Sequence, residues 1–246
     1  MSTTTMTRTA LNIVVAGSTS AAGRAVVKSL ARLGARIAAV DVNEAGVGAL
    51  AKEYPEVTPY VCNLADPAEV TALAQTIRAD IGPVDGLIHL VGGWRGGDGI
   101  PGQQDQDWDV LHTSVLTTLR NTSRAFYEDL ESSDKGRLAI VSSVTASKPT
   151  AGGASYSAIK AASEAWVLGV ADGFHQSQAG HKTAPVGQKS AAVVFVVKAL
   201  VDDAMREAAP HRAFPGYTDV QELAEHVTAL FDADAEGLNG TRQHLI

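Results

Sequence analysis

The sequence has little of what would place it outside ordinary globular enzymes. It contains a single cysteine, Cys62, so no internal disulfide can form, and the apolar run from Tyr60 marks that thiol as buried and structural. No stretch has the apolar length of a signal peptide or membrane span, and the opening segment from Met1 to Ala10 is polar and Thr-rich, reading as a flexible tail on a cytoplasmic protein. No block of like charge occurs, and 20 Lys and Arg stand against 27 Asp and Glu, a net charge of -7 that argues against nucleic acid. The seven histidines show no metal-ligand spacing. Asp105 to Asp109 fails as a calcium loop because Val110 and Leu116 stand where Gly and Glu are needed, so these acids read as favoured charge at a helix N-terminus. No metal is expected.

What is present is alternation. Short β-branched runs, several apolar without a break, alternate with amphipathic segments along all 246 residues, the pattern of a doubly wound, mainly parallel sheet with helices on both faces, in a single domain over 1–246 with a tail at 1–10. Strands are predicted at Leu11 to Ala16, Ala35 to Val40, Thr58 to Cys62, Gly86 to Val91, Arg137 to Ser142 and Ala191 to Val197, with a short seventh at Arg242 to Ile246. Asp66-Pro67-x-Glu69 pairs an N-cap with Pro at the first helical position, and Thr218-x-x-Gln221 has capping-box spacing. Gly34 and Gly82 mark helix ends, and His175 to Ser190 reads as one long surface loop.

The first strand runs into Gly17-Ser18-Thr19-Ser20-Ala21-Ala22-Gly23, followed by a helix expected to begin near Arg24. Small residues there let the backbone approach a pyrophosphate, with free helix N–H groups aimed at it. The turn alone is a common feature of α/β proteins. The next strand ends at Asp41, 18 residues after Gly23, where a carboxylate can accept hydrogen bonds from an adenosine ribose and would repel a 2′-phosphate. Its plainer role would be to cap the following helix, for which Asn43 also serves. No Lys or Arg lies between Ser18 and Ala22, so NAD(H) is favoured over NADP(H).

Tyr156-Ser157-Ala158-Ile159-Lys160 opens a long helix, placing the phenol and the ammonium on one face. A lone Y-x-x-x-K decides little. Ser142 and Ser143 sit where the preceding strand ends, however, and the C-terminal strand ends of such sheets form the ligand crevice. A tyrosine exchanges protons poorly at neutral pH until a cation stabilises its phenolate, which Lys160 can do. Ser143 can hold a substrate oxygen while Tyr156 gives or takes its proton.

These residues resemble the short-chain dehydrogenase/reductase family over nearly the whole chain. The family's T-G-x-x-x-G-x-G turn is matched by Ala16 to Gly23 with Ala21 at the middle glycine, and the serine 13 residues before the tyrosine falls on Ser143. The resemblance implies an oxidoreductase moving a hydride between nicotinamide and a small-molecule carbonyl or alcohol. It implies that Lys160 also holds the nicotinamide ribose, that Asn63 and Leu64 lie near the adenine, and that Val91 and Gly92 line the cofactor site. Departures are clear. The family's N-N-A-G is His89-Leu90-Val91-Gly92, its helical asparagine falls on Val115 with Ser114 beside it, and its P-G after the sixth strand is Lys198-Ala199. Gly92 to Gly97 and Leu200 to Met205 are similar to the dihydropteridine reductase branch, which makes that activity a variant reading and Trp94 a candidate for stacking on a planar substrate or packing under its loop. The departures also leave open a dinucleotide sensor that has lost turnover, and an interaction protein that binds no nucleotide.

On the Tyr156 helix, Ala158, Ala162, Ala165 and Gly169 fall opposite the active-site face and form a strip of small residues. With Leu111, Val115, Leu119, Phe126 and Leu130 on the preceding helix, it is expected to serve self-association as a homodimer or homotetramer, unless the loop after the helix covers it.

Overall fold

The computed structural model describes residues 10–245; the expected tail at 1–10 lies, but for Ala10, outside them. The chain runs β1 (Asn12–Ala16), α1 (Ala21–Arg32), β2 (Arg36–Asp41), α2 (Glu44–Glu53), β3 (Val57–Val61), α3 (Pro67–Asp80), β4 (Gly86–His89) and α4 (Asp105–Leu111). A π-helical stretch, His112–Thr117, leads straight into α5 (Thr118–Ser132). There follow β5 (Arg137–Ser143), α6 (Ala154–Ser177), β6 (Ala191–Val197), β7 (Leu200–Val201), α7 (Asp203–Ala208), β8 (Thr218–Asp219), α8 (Val220–Ala229), α9 (Ala235–Leu238) and β9 (Arg242–His244).

Seven strands form one sheet in the order β3-β2-β1-β4-β5-β6-β9, every pairing parallel. Both faces are covered, as the unbroken apolar strands require. Ile13 and Val15 face α1, α2, α8 and α9 through Val26, Leu30, Leu50, Leu223 and Leu238. Val14 and Ala16 face α3, α5 and α6 through Leu73, Ile77, Leu119, Phe126 and Phe174. The connection reverses direction between β1 and β4, so the carboxyl ends of those two strands open the crevice where such sheets bind ligands.

The caps follow local chemistry. Asp66 accepts from the N–H groups of Ala68 and Glu69 ahead of Pro67, and Asn43, not Asp41, caps α2 by accepting from Gly46. Gly34 and Gly82 close their helices at φ of 72° and 98°, the left-handed region that glycine enters freely. Asp105 and Asp107 occupy the first turn of α4. At the amino end of β5, Arg137 is buried and donates to the carbonyls of Leu230, Gly136, Lys189 and Ala233, tying the last turn of α8 and the strand entry of β6 to the sheet.

Four expectations need correction. Helix α1 begins at Ala21 rather than near Arg24, because Ser20 is its cap. Thr218 does not cap α8; its hydroxyl bonds the Leu245 carbonyl, and Asp219 accepts from Gln221 instead. The helix α6 continues to Ser177, so the loop is 178–190, and Gln178 anchors it by accepting from the N–H groups of Lys189 and Ser190. Leu111, Val115, Leu119, Phe126 and Leu130 are all buried in this chain's own core, so α5 offers no apolar outer face. The strip on α6 is different: Ala158, Ala165 and Gly169 are exposed, Ala162 is half-buried, and the loop leaves them uncovered.

Candidate active site

The turn after β1 is built by steric necessity. Gly17 has φ of 80°, and a Cβ there would press on the backbone of Leu90 and Val91, while one on Gly23 would strike Gly17 and Ser18. Ser20 accepts from Gly23 N–H and donates to the Gly17 carbonyl, which leaves the N–H groups of Ala21 and Ala22 at the free start of α1. Ser18 turns inward to bond the Val40 carbonyl. The cradle therefore offers backbone donors and no side chain that blocks an approaching pyrophosphate.

Asp41 is fixed at the carboxyl end of β2. One carboxylate oxygen accepts from Thr19, through its N–H at 3.1 Å and its hydroxyl at 2.8 Å, and the other accepts from Asn43 N–H. Asp41, Gly17, Asn63, Leu64 and Val91 line a hollow of about 240 Å³, so the residues expected around an adenosine are brought together. Cys62 forms part of its wall with a thiol pushed up to about 11, by burial first and then by Glu69 and Asp66, which keeps it protonated and inert. Among basic residues, Arg36 begins β2 and lies at the wrong end of the sheet, and the Arg24 guanidinium bonds the Thr19 carbonyl in a separate depression beside Asp202 and Asp203.

The main cleft holds about 880 Å³ and is lined by Ser143, Tyr156 and Lys160 together with Ala22, Val91, Gly92 and Trp94. Ser143 ends β5, where its oxygen accepts from the N–H and hydroxyl of Thr145, leaving its own hydrogen available. Burial holds the Tyr156 phenol above its usual range, an effect that the Ser143 hydroxyl beside it only partly offsets. Lys160 is buried, with Nζ donating to the Val141 carbonyl at 2.8 Å and lying 5.7 Å from the Tyr156 ring centre. Burial brings its ammonium down to about 8, while the Glu164 carboxylate opposes the shift. Trp94 is 66% exposed at the cleft mouth, its ring resting against Gly96, so it packs on its loop by one edge and offers the rest to the opening.

Two neighbours of this group, Glu164 and Gln103, escaped sequence reasoning, and a third, His89, stands there only as a departure from the family pattern. Glu164 is buried one turn beyond Lys160, accepting from Ser142 Oγ at 2.5 Å and from Arg242 Nε at 2.7 Å, so it links α6, β5 and β9 beneath the lysine. Its spacing of four from Lys160 was the available signal. Gln103 donates to the Ala151 and Gly152 carbonyls and accepts from Ser155 N–H, pinning the Trp94 loop to the start of α6. His89 is buried in the cleft wall with Nε2 at 3.1 Å from Thr118 Oγ1. Because that hydroxyl donates to the Ser114 carbonyl, His89 must be the donor to it. Ser114 and Val115 lie within the π-helical stretch, Val115 on the main cleft beside Gly92 and Ser114 on the hollow beside Asp41, so neither supplies an amide beside Lys160.

Comparison with known proteins gives the family. The short chain dehydrogenase pattern matches residues 11–182, and the chain belongs to that family of oxidoreductases, which bind nicotinamide dinucleotides. It is 30% identical over 152 residues to 2,3-dihydro-2,3-dihydroxybenzoate dehydrogenase of Bacillus subtilis, which spans 60% of this chain and 58% of that one. It is 28% identical over 151 residues to 3-oxoacyl-(acyl-carrier-protein) reductase FabG of Escherichia coli, 60% of this chain and 61% of the relative, so these matches span about three fifths of either protein. The FabG of Vibrio harveyi matches over 94% of both chains at 26% identity. Among solved structures, ElxO with NADP bound superposes with a TM-score of 0.82 over 96% of this chain and 97% of its own, at 13% identity. A short chain oxidoreductase of Pseudomonas aeruginosa with NADPH bound and an atypical catalytic center superposes at 0.79 over 97% of each chain, at 21% identity. At such identities these two show the fold alone.

Burial and the Lys160 ammonium hold the His89 imidazole down to about 3, against 6.5 in an unfolded chain. Below pH 6.5 the unfolded state takes up a proton that the folded state refuses, so this contribution to stability is intact above pH 6.5 and is lost as pH falls toward 3. Between pH 7 and pH 5 the loss is about 2 kcal/mol. Urea unfolding of the wild type beside His89→Asn should show that extra acid sensitivity in the wild type only; parallel pH slopes in the two proteins would show that His89 titrates normally.

Proposed function

We propose that this protein is an NAD(H)-dependent oxidoreductase that moves a hydride between nicotinamide and a small-molecule carbonyl or alcohol, with Ser143, Tyr156 and Lys160 as its catalytic group. The observation that supports this best is the meeting of those three side chains in one cleft with the α1 turn at its other end. A bound nicotinamide would supply or accept the hydride. The chain's own residues do the rest. Ser143 donates to the substrate oxygen, and Tyr156 gives that oxygen a proton during reduction or removes one during oxidation. The Lys160 ammonium, charged below about pH 8, stabilises the phenolate left behind, and also holds the nicotinamide ribose. Ala21 and Ala22 N–H groups receive the pyrophosphate, and Asn63 and Leu64 flank the adenine.

The relatives named above act on a dihydrodiol and on 3-oxoacyl groups, which agrees with a hydroxyl or oxo carbon as the reacting centre. A pterin substrate has no support beyond the two short segments at Gly92 to Gly97 and Leu200 to Met205. A sensor without turnover has no use for a buried lysine held beside an acid–base tyrosine. We further infer a homodimer or a tetramer built from dimers, in which the exposed Ala158, Ala165 and Gly169 of α6 let a second copy's helix come close. The charged outer positions of α5, Arg120, Arg124 and Glu128, would form the rim.

Three measurements test this reading. Tyr156→Phe should cut turnover by about two to four orders of magnitude while NADH affinity stays nearly unchanged, since only the transferable proton is deleted. Wild-type turnover by that variant would remove Tyr156 from the chemistry. NADH should bind more tightly than NADPH, and Asp41→Ala should narrow the difference; tighter NADPH binding by the wild type would overturn the cofactor assignment. In light scattering, Ala165→Arg should split the assembly, and an intact assembly would place the interface elsewhere.

A further inference from the structure

The chain carries more acid than base, yet no carboxylate lines the main cleft among the described residues, while Lys160, Lys198 and Arg212 all do. Lys160 belongs to the catalytic group. The other two stand at the far side of the cleft, on the segments that follow β6 and α7, and have no part in the chemistry described above. Both are exposed at the cleft, and each has protein partners there. The Arg212 guanidinium lies 5.0 Å from the Phe214 ring centre and 5.7 Å from that of Tyr217, and donates to the Tyr217 hydroxyl at 3.0 Å. Lys198 Nζ lies 5.7 Å from the same Tyr217 ring centre and donates to the Pro215 carbonyl at 2.8 Å. Among the described residues neither cation enters an ion pair, whereas Arg206, close by in sequence, is spent on Asp219.

Two oriented cations around one aromatic ring, with no anion beside them, lower the free energy of a negative group that enters the cleft. A guanidinium already held against two aromatic rings and a tyrosine hydroxyl loses less freedom than an unrestrained one when it grips a carboxylate. The geometry points to a substrate that carries a carboxylate, taken by Arg212 and Lys198 while its carbonyl or hydroxyl carbon lies at Ser143 and Tyr156. This rests on the reading of the cleft as a carbonyl-reducing site and adds the class of molecule reduced. The Trp94 ring, two-thirds exposed at the same mouth, is free to cover a planar body between the two ends.

Binding and turnover test the two readings separately. Calorimetric titration of the whole protein, with and without NADH, compares benzoate with benzamide, which has the same shape and no charge. Benzoate should bind at least about tenfold more tightly, the worth of a charge-assisted hydrogen bond, and the double variant Lys198→Met, Arg212→Gln should bring the two together. Equal binding of the pair, no benzoate binding at all, or unchanged selectivity in the double variant would overturn the proposal. For turnover, 4-oxocyclohexanecarboxylate is compared with its methyl ester, and the acid should win in kcat/KM by about tenfold in the wild type and lose that advantage in the double variant. An ester used as well as the acid overturns the proposal. Benzoate selectivity without reduction of either ketone would leave the carboxylate site standing and count against the redox reading alone.

Discussion

A parallel sheet buried on both faces leaves its polar backbone groups free only where the strands end. In this chain that constraint decides where chemistry can happen. The inner strands β1, β4, β5 and β6 are so apolar that helices must cover them, and the reversal between β1 and β4 keeps those helices from closing over the carboxyl ends. Gly17, Asp41, His89 and Ser143 all occupy such ends, and every one of them points into or braces the crevice. Arg137 does the opposite work at the amino end of β5, where it consumes four carbonyls and seals the sheet.

Within the crevice the electrostatics are set by one buried cation. Lys160 is held by a backbone carbonyl, lifted by Glu164 and kept company by a histidine that its own charge helps to keep neutral. Glu164 cannot drift, since Ser142 and Arg242 both hold it, and Arg242 comes from the last strand of the sheet. The charge state of Lys160 is therefore tied to the correct docking of β9, about eighty residues further along the chain, and to the strand that carries Ser143.

Much of this was legible because the signals were local. Unbroken apolar runs located the sheet strands to within a residue or two, and Gly17, Asp41, Ser143, Tyr156 and Lys160 each announce themselves by position relative to a strand end or helix start. The misses share a cause. Whether Phe126 and Leu130 face a partner or the chain's own sheet depends on the rotation of a helix, which sequence periodicity leaves undetermined by itself. Thr218 satisfies the spacing of a capping box but finds a stronger use in the carbonyl of Leu245, a contact made across the fold. Gln178, Gln103 and Arg137 act on backbone carbonyls or N–H groups distant in sequence, and no pattern of neighbours foretells such contacts.

The π-helical turn at His112–Thr117 gives the family's absent asparagine a geometric meaning. One residue inserted into a helix rotates everything before it by about 100° relative to everything after it. The bulge falls across Ser114 and Val115 and so bears on which way each faces. Two neighbours in sequence, Ser114 and Val115, therefore face different hollows, Ser114 the one beside Asp41 and Val115 the main cleft below Gly92.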